Sequence, residues 1–267
     1  MAVPLAVEAG LTGRISGRFL ELVAQAGRRG AIAFTGLEGV ELMPEQRQRL
    51  NELLEMAGLR PPVLAAALAV FYHPGEVQAI PAVWPTHPQD LDQWNRYARA
   101  YHEVNRVLND ICERLALEFS GVAEKATIDG WAGSVSNVKE YFPHCVSHRA
   151  FAEAAGLGWR GKHGLIVTPE AGPALRLATL FVSGEAAPEA RHLRGCGTCR
   201  ACLDLCPLLP REGAQTLGRK GGDYRERCRR RISRLGLEAD VCGVCVRVCW
   251  ESVTGKRAGA TPAQNGT

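Results

Sequence analysis

The chain has 267 residues, which is long enough to bury a sizeable core in one large domain or two smaller ones. Hydrophobic residues make up 46% of it and charges of both signs are mixed, which places it among globular proteins. No apolar run approaches the roughly 20 residues that a membrane-spanning helix needs, and the N-terminus shows no secretory signal. We therefore expect a cytoplasmic protein without a membrane partner. The net charge of +4 is too small to indicate nucleic-acid binding by itself.

The first half of the chain reads as helices alternating with apolar stretches. Residues 3–27 are expected to form a helix, which the short apolar stretch "GAIAF" follows. A second helix is predicted at 44–57, because it begins with proline and stops at glycine. The run 61–74 is a buried strand or a short helix, and periodicity does not separate the two. Residues 90–119 carry the clearest helical pattern, since their apolar residues recur at three- and four-residue steps.

The second half begins with a Gly-, Ser- and aromatic-rich stretch, 120–146, which we expect to be an ordered loop lining a site. Ser147 is a plausible cap for a following helix that stops at Gly156. The segments "GLIVTP" and "ALRLATLFVS" read as two strands around the turn "EAGP". A cysteine module fills 196–249, and the remaining tail is expected to be disordered.

The segment "AGLGWRGKHG" contains the phosphate-loop spacing G-x-x-x-x-G-K at Gly156, Gly161 and Lys162. A phosphate loop follows a strand and opens a helix, so that helix amides face the phosphates. Here a helix leads in and a strand leads out, and His163 occupies the position of the magnesium-binding Ser or Thr. We interpret the match as coincidental. The glycines are expected to allow a tight turn or the close approach of a flat ligand.

Eight of the ten cysteines lie between 196 and 249, a clustering that indicates metal binding in a chain without a secretory signal. The run "CGTCRACLDLCP" has the C-x2-C-x2-C-x3-C-P spacing of bacterial ferredoxins, in which the fourth cysteine ligates a neighbouring cluster. A second run completes the set, and two [4Fe–4S] clusters are predicted. The ligands assigned to cluster 1 are Cys196, Cys199, Cys202 and Cys249, and those assigned to cluster 2 are Cys206, Cys228, Cys242 and Cys245.

Several features of the cysteines and of the basic run also have simpler interpretations. A pair of structural zinc ions would need four thiolates each, but zinc has no need of interleaved runs. Cys112 lies beside the helical stripe and is most simply a core residue. Cys145 is a buried small residue, a ligand or a redox thiol. The arginine-rich run 219–234 is either a solvated helix face or a docking surface for an acidic partner or RNA.

The segment "AGLGWRGKHGLIVTPEAG" followed by the two cysteine runs resembles the epoxyqueuosine reductase family, whose relatives are the reductive dehalogenases. The resemblance spans residues 95–250. It implies an α+β fold, in which a nitroreductase-like α/β core precedes a ferredoxin-like module with two [4Fe–4S] clusters. The expected parts are 1–90, the N-terminal part of the core; 91–190, the core with a corrinoid pocket; 191–252, the cluster module; and 253–267, the tail.

The resemblance also implies that cobalamin is bound and receives electrons from the clusters. The residues that would contact the corrinoid are Gly156, Gly158, Gly161 and Lys162, with a solvated turn lysine as the alternative for the last. The family's catalytic aspartate falls at Phe142, so this chain lacks it, and His148 replaces the family's glutamate. The candidates for proton donation are Tyr141, His144 and His148, with Tyr141 favoured; for each histidine the alternative is a structural role.

These expectations lead to three functional hypotheses. The first is a corrinoid-dependent iron–sulfur reductase that takes electrons from a ferredoxin or flavodoxin. The second is a non-enzymatic two-cluster electron carrier or reductive activator of a corrinoid partner protein, which the missing aspartate favours. The third is an epoxyqueuosine-type tRNA reductase in which another residue replaces the aspartate.

Overall fold

A computed structural model describes residues 10–83, 91–127, 138–185, 195–214 and 224–255. Its centre is a four-stranded antiparallel sheet with the order β1-β2-β6-β3. The strands are β1 (Gly30–Thr35), β2 (Val63–Phe71), β3 (Val122–Glu124) and β6 (Leu175–Ser183). Two short strands, β4 (Trp159–Arg160) and β5 (Ile166–Val167), pair with each other in a separate ribbon. The chain therefore has a mixed α and β fold, as expected.

The segment 61–74 is a strand for most of its length, which resolves the ambiguity of its sequence. All nine residues of β2 are buried, because helices cover both faces of the sheet. Leu64 and Leu68 pack on the face covered by α1 (Leu11–Gln25) and α4 (Leu91–Glu118). The alternate residues pack on the opposite face, against α2 (Pro44–Met56) and α5 (His148–Ala154). A strand buried on both faces lacks the polar alternation that identifies a half-exposed strand.

The predicted helix at 44–57 and the long helix at 90–119 are confirmed as α2 and α4 within one or two residues at each end. Residues 3–9 of the predicted first helix lie outside the described residues, and α1 begins at Leu11. The short apolar stretch after it is β1. A further short helix, α3 (Pro74–Gln78), follows β2.

The two strands predicted around the turn "EAGP" exist but do not form a hairpin. β5 pairs with β4, whereas β6 lies between β2 and β3 in the main sheet. Nine residues of β6 find partners in β2, so its pairing is decided by a segment far away in the chain. None of the described helices is both long enough and apolar enough to cross a membrane.

In its described residues, the cysteine-rich segment adds three helices beside the core: α6 (Ala201–Leu205), α7 (Tyr224–Ser233) and α8 (Val244–Thr254). Val246 and Trp250 of α8 belong to the same hydrophobic cluster as α4. Arg247 donates to the carbonyl of Gln78 at 3.1 Å and to that of Ile80. These contacts attach the cysteine module to the face of the core that α4 covers. The predicted tail falls mostly on residues 256–267, outside the described residues.

Candidate functional site

The first predicted cysteine group is assembled from the loop before α6 and from α8. Cys196 and Cys199 are joined by a backbone hydrogen bond of 3.0 Å, and Cys202 lies in the first turn of α6. Burial raises the pKa of Cys249, and the charges of Cys196, Cys202 and Cys199 raise it further. The fold therefore brings together the four cysteines assigned to cluster 1.

The second predicted group draws one cysteine from the end of α6, one from α7 and two from the start of α8. Burial raises the pKa of Cys228 to about 11, and the nearby Cys206 contributes to the shift. Burial raises the pKa of Cys242 to about 12, with contributions from Cys228 and Cys206. The same neighbours act on Cys245, and so does Cys202 of the first group. The helix α7 thus returns Cys228 to its predicted partners, and the two groups are adjacent.

The donor chemistry of both groups fits iron–sulfur clusters. Each group offers thiolates alone, the ligand set of a [4Fe–4S] cubane, and their adjacency matches the interleaved runs of a two-cluster ferredoxin. Metal ligation requires thiolates, so loading these buried thiols releases protons. Among the described residues, no three His, Cys, Asp or Glu side chains are grouped closely enough for a single ion. A cubane holds its thiolates further apart than one ion does.

Lys162 connects the glycine turn to the loop of the first cysteine group. Its Nζ donates to the carbonyl of Gly197 at 2.8 Å and to the carbonyl of Cys199 at 2.9 Å. Its backbone carbonyl accepts from the amide of Ala214 at 2.6 Å. These contacts give Lys162 a structural role at the protein surface. Lys162 holds the loop that carries Cys196 and Cys199.

The glycines of the turn serve the chain's own backbone and not a flat ligand. Gly156 has φ +67° and ends α5, where only glycine accepts this conformation without strain. A Cβ at Gly158 would lie 2.4 Å from the carbonyl oxygen of Val167, so the glycine allows β4 and β5 to meet. A Cβ at Gly161 would lie 2.7 Å from the ring of His163. The turn runs from helix to strand, which agrees with the rejection of a phosphate loop.

A cavity of about 380 Å³ lies between the core sheet, α4 and the second cysteine group. Cys245 and Gly243 line one wall, and residues of β6 line the opposite wall. A Cβ at Gly243 would lie 2.6 Å from the ring of Tyr97, which also lines the cavity. The glycine thus lets the second cysteine loop approach the core closely. The cavity volume is at the lower end of the roughly 300–1,000 Å³ typical of small-molecule sites.

The residues predicted to contact a corrinoid do not fit that group in this arrangement. None of Gly156, Gly158, Gly161 and Lys162 lines the cavity. Their space and hydrogen bonds are used by β5 and by the first cysteine loop. In this arrangement the side chains and backbone of the segment lie outside the cavity and contact β5 and the first cysteine loop.

The three candidates for proton donation differ in position. Tyr141 lines the cavity and is half-buried, and burial raises the pKa of its hydroxyl while the charge of Arg176 opposes that shift. His144 lies exposed at the end of the 3-10 helix Val138–His144 and does not line the cavity. His148 reaches the cavity, but its Nδ1 is 2.9 Å from the Thr179 hydroxyl and its Nε2 is 2.8 Å from the Lys125 carbonyl. Burial lowers the pKa of His148 to about 4, so the contacts favour the structural alternative for it.

The remaining cysteines also find defined places. Cys112 is fully buried in α4 with its Sγ 3.8 Å from the carbonyl of Thr179, as expected of a core residue. Cys145 is half-buried and lines the cavity, and its Sγ lies 3.5 Å from the carbonyl of Tyr141. Neither residue joins the two cysteine groups.

Sequence reasoning missed three arginines that line the cavity. One is Arg149, which donates to the carbonyl of Gly164 at 2.7 Å. Arg176 lies on β6, where its Nε donates to Asn105 Oδ1 at 2.6 Å and its guanidinium stacks over the Tyr101 ring with a centroid distance of 4.5 Å. Arg225 lies on α7, within the basic run that was read as a surface feature, and turns inward. The signal for Arg176 was present, because it is the one charged residue in "ALRLATLFVS".

Comparison with known proteins shows sequence relatives along most of the chain. Epoxyqueuosine reductase from Pseudomonas aeruginosa is 33% identical over 151 residues, which are 54% of this chain and 35% of the relative. Epoxyqueuosine reductase from Listeria monocytogenes is 28% identical over 204 residues, which are 70% of this chain and 50% of the relative. The chain thus spans half or less of the length of these relatives.

Among solved structures, epoxyqueuosine reductase from Streptococcus thermophilus has a TM-score of 0.46 at 21% identity. The match covers 88% of this chain and 66% of that structure. No family model matches the chain. The curated sequence relatives, together with the spacing of the cysteine runs, confirm the resemblance of this chain to the epoxyqueuosine reductases.

Proposed function

We propose that the chain is an iron–sulfur reductase that delivers electrons to a molecule bound in the cavity. The observation that carries this proposal is the cavity wall itself. Cys245, assigned to the second cluster, and Tyr141, the favoured proton donor, line the same cavity. A reductive site needs a source of electrons and an acid within reach of one ligand, and this cavity offers both positions.

Eight cysteines would hold the two clusters, as assigned from the sequence. When bound, the clusters would supply single electrons, replenished by a ferredoxin- or flavodoxin-type donor. The chain's own part is to bury the thiolates and to close the space between them and the cavity. Cys202 is near Cys245, so the two groups form a continuous route from the exposed Cys199 loop inward.

Tyr141 would hold the proton that follows the electrons. Its hydroxyl stays protonated at neutral pH, because burial raises its pKa above the ordinary value. It therefore can donate but does not act as a base under these conditions. In this chain it would replace the aspartate that the family carries one position along, at Phe142.

The substrate we propose is an epoxide in a modified RNA nucleoside of the epoxyqueuosine type. The names of the sequence relatives support this class of substrate, and Tyr141 would take the role of the missing aspartate. Removing the epoxide oxygen takes two electrons and two protons, leaves an alkene and releases water. Exposed arginines on and after α7, namely Arg227 and Arg234, would offer phosphate contacts to such an RNA.

The test is single-turnover reduction by the anaerobically reconstituted full chain. Dithionite-reduced protein is mixed with an epoxyqueuosine-containing stem-loop RNA, with and without added cobalamin, and the nucleosides are analysed. We expect queuosine to form, and Tyr141→Phe to slow its formation by about 100-fold while cluster reduction is unchanged. Formation that requires cobalamin would add a corrinoid to the cavity. Intact reducible clusters with no product under either condition would contradict the proposal and leave an electron carrier.

A further inference from the structure

Three arginines line the cavity, and none of them pairs with a carboxylate among the described residues; Arg149 donates to the carbonyl of Gly164 at 2.7 Å. The described carboxylates that form ion pairs do so with other cations, and none pairs with Arg176 or Arg225. Burying an unpaired charge is costly, and chains retain such groups where a ligand completes them. The absence of a carboxylate partner for Arg176 and Arg225 among the described residues therefore indicates a missing anion.

Arg176 is the better positioned of the two. It projects from the central strand β6, and its Nε and one terminal nitrogen are fixed by Asn105 and by the Thr127 carbonyl. Its guanidinium plane is further fixed by the Tyr101 ring. Its remaining terminal nitrogen makes no hydrogen bond to any described residue. A guanidinium held this rigidly presents its free edge in one direction.

Arg225 lines the same cavity from α7. Its Nε is 3.2 Å from the Tyr224 hydroxyl, and neither terminal nitrogen has a described protein acceptor. Both arginines interact electrostatically with Tyr141, which also lines the cavity. Arg225 also lies near Cys228, so its charge serves the second cysteine group as well. Arg176 has no cysteine among the groups that act on it.

The acidic residue at the cavity is already engaged. Asp240 lines the cavity, but its Oδ2 accepts from the Ser233 hydroxyl at 3.1 Å, and its charge acts on Arg229. It leaves the cavity arginines without a carboxylate partner among the described residues. Because the rest of the lining is mainly apolar and aromatic, an anion inside would be held by guanidinium groups, and Arg149 already donates to the Gly164 carbonyl.

We infer that the cavity binds an oxyanion, a phosphoryl or carboxylate group of the substrate, between Arg176 and Arg225. Guanidinium groups bind both classes through paired, charge-assisted hydrogen bonds. This inference rests on the proposed function in taking the cavity as the substrate site, and it adds that the substrate's reacting part lies beside an anionic group. Tyr141, which lines the same cavity and interacts electrostatically with both arginines, would then be next to the bound molecule.

The experiment titrates inorganic phosphate, and separately acetate, into the reconstituted full chain by calorimetry. We expect saturable binding of at least one of the two, weakened about tenfold or more by Arg176→Lys, which keeps the charge but loses the planar fork. The exposed Arg230→Lys on α7 is the matched control and should bind as the wild type does. Phosphate binding alone assigns a phosphoryl source, and acetate binding alone assigns a carboxylate source.

The inference would be overturned if neither anion binds, or if Arg176→Lys binds as tightly as the Arg230→Lys control. Arg225→Lys should weaken binding in the same direction, and circular dichroism of each variant checks that it is folded. The same preparation is assayed for cluster reduction and RNA turnover. RNA turnover without anion binding would contradict this inference but not the proposed function. Anion binding without RNA turnover would contradict the proposed function but not this inference.

Discussion

Replacing Gly158 by alanine tests whether the glycine turn packs on the chain itself or cradles a ligand. The new Cβ would lie 2.4 Å from the Val167 carbonyl oxygen and 2.8 Å from Ile166 Cγ2. The first contact is with backbone that pairs in the β4–β5 ribbon, so it cannot move away cheaply. Gly158 does not have a positive φ, so the clash is the only expected cost.

We expect Gly158→Ala to lower the free energy of unfolding by about 1–3 kcal/mol, the usual cost of inserting a methyl into a packed site. The matched control is Gly17→Ala in the middle of α1, where nothing lies within 4 Å of the added Cβ. That variant should gain about 0.5–1 kcal/mol, because alanine favours helix over glycine. Urea unfolding of the reconstituted proteins measures both. A Gly158→Ala protein as stable as the wild type, with its ligand binding lost, would refute the intramolecular role.

Three further outcomes follow from the described contacts. Lys162→Met removes the two hydrogen bonds to the first cysteine loop and should speed chelator-driven iron loss severalfold. The control is Lys125→Met, which should not change the rate because Lys125 pairs with the exposed Glu113. Equal rates of iron loss in the two variants would show that Lys162 does not hold the loop. Cys228→Ser should lower the iron content and alter the electron paramagnetic resonance of one cluster only; an unchanged spectrum would exclude this ligand. Burial lowers the pKa of His148 and His163 to about 4, below the roughly 6.5 of a histidine in the unfolded chain. The free energy of unfolding should therefore fall by about 3 kcal/mol per histidine as the pH drops from 6.5 to 4. A urea midpoint that does not change over that pH range would contradict the burial of neutral histidines.

The parts of this fold that the sequence predicts well are those set by local pattern. The long helix α4 follows from its apolar stripe, and α2 follows from its proline start and glycine stop. The grouping of the cysteines follows from ligand spacing, because a cubane demands closely spaced thiolates. In each case the deciding neighbours are a few residues away in the chain.

The cavity could not be predicted in the same way, because it depends on long-range packing. Its walls come from β6, from the 3-10 helix around Tyr141, and from α7 and α8. Arg225 sits in a basic run that reads as a solvated surface, and only the docking of α7 turns it inward. The role of the glycine turn could not be predicted for a related reason. Its glycines indicate that another group approaches the backbone closely, but they do not indicate which group that is. The partner of the turn is the strand β5, a few residues further on.

The central claim is that electrons from the second cysteine group reach a ligand in the cavity. Leu177→Trp tests it most directly, because Leu177 lines the cavity on β6, away from the cysteines. The measurement is the rate of queuosine formation in a single turnover, with cluster spectra and iron content recorded on the same sample. A filled cavity should slow product formation at least about tenfold while clusters and their reduction are unchanged. Product formation at the wild-type rate would contradict the account and place the reaction elsewhere on the molecule.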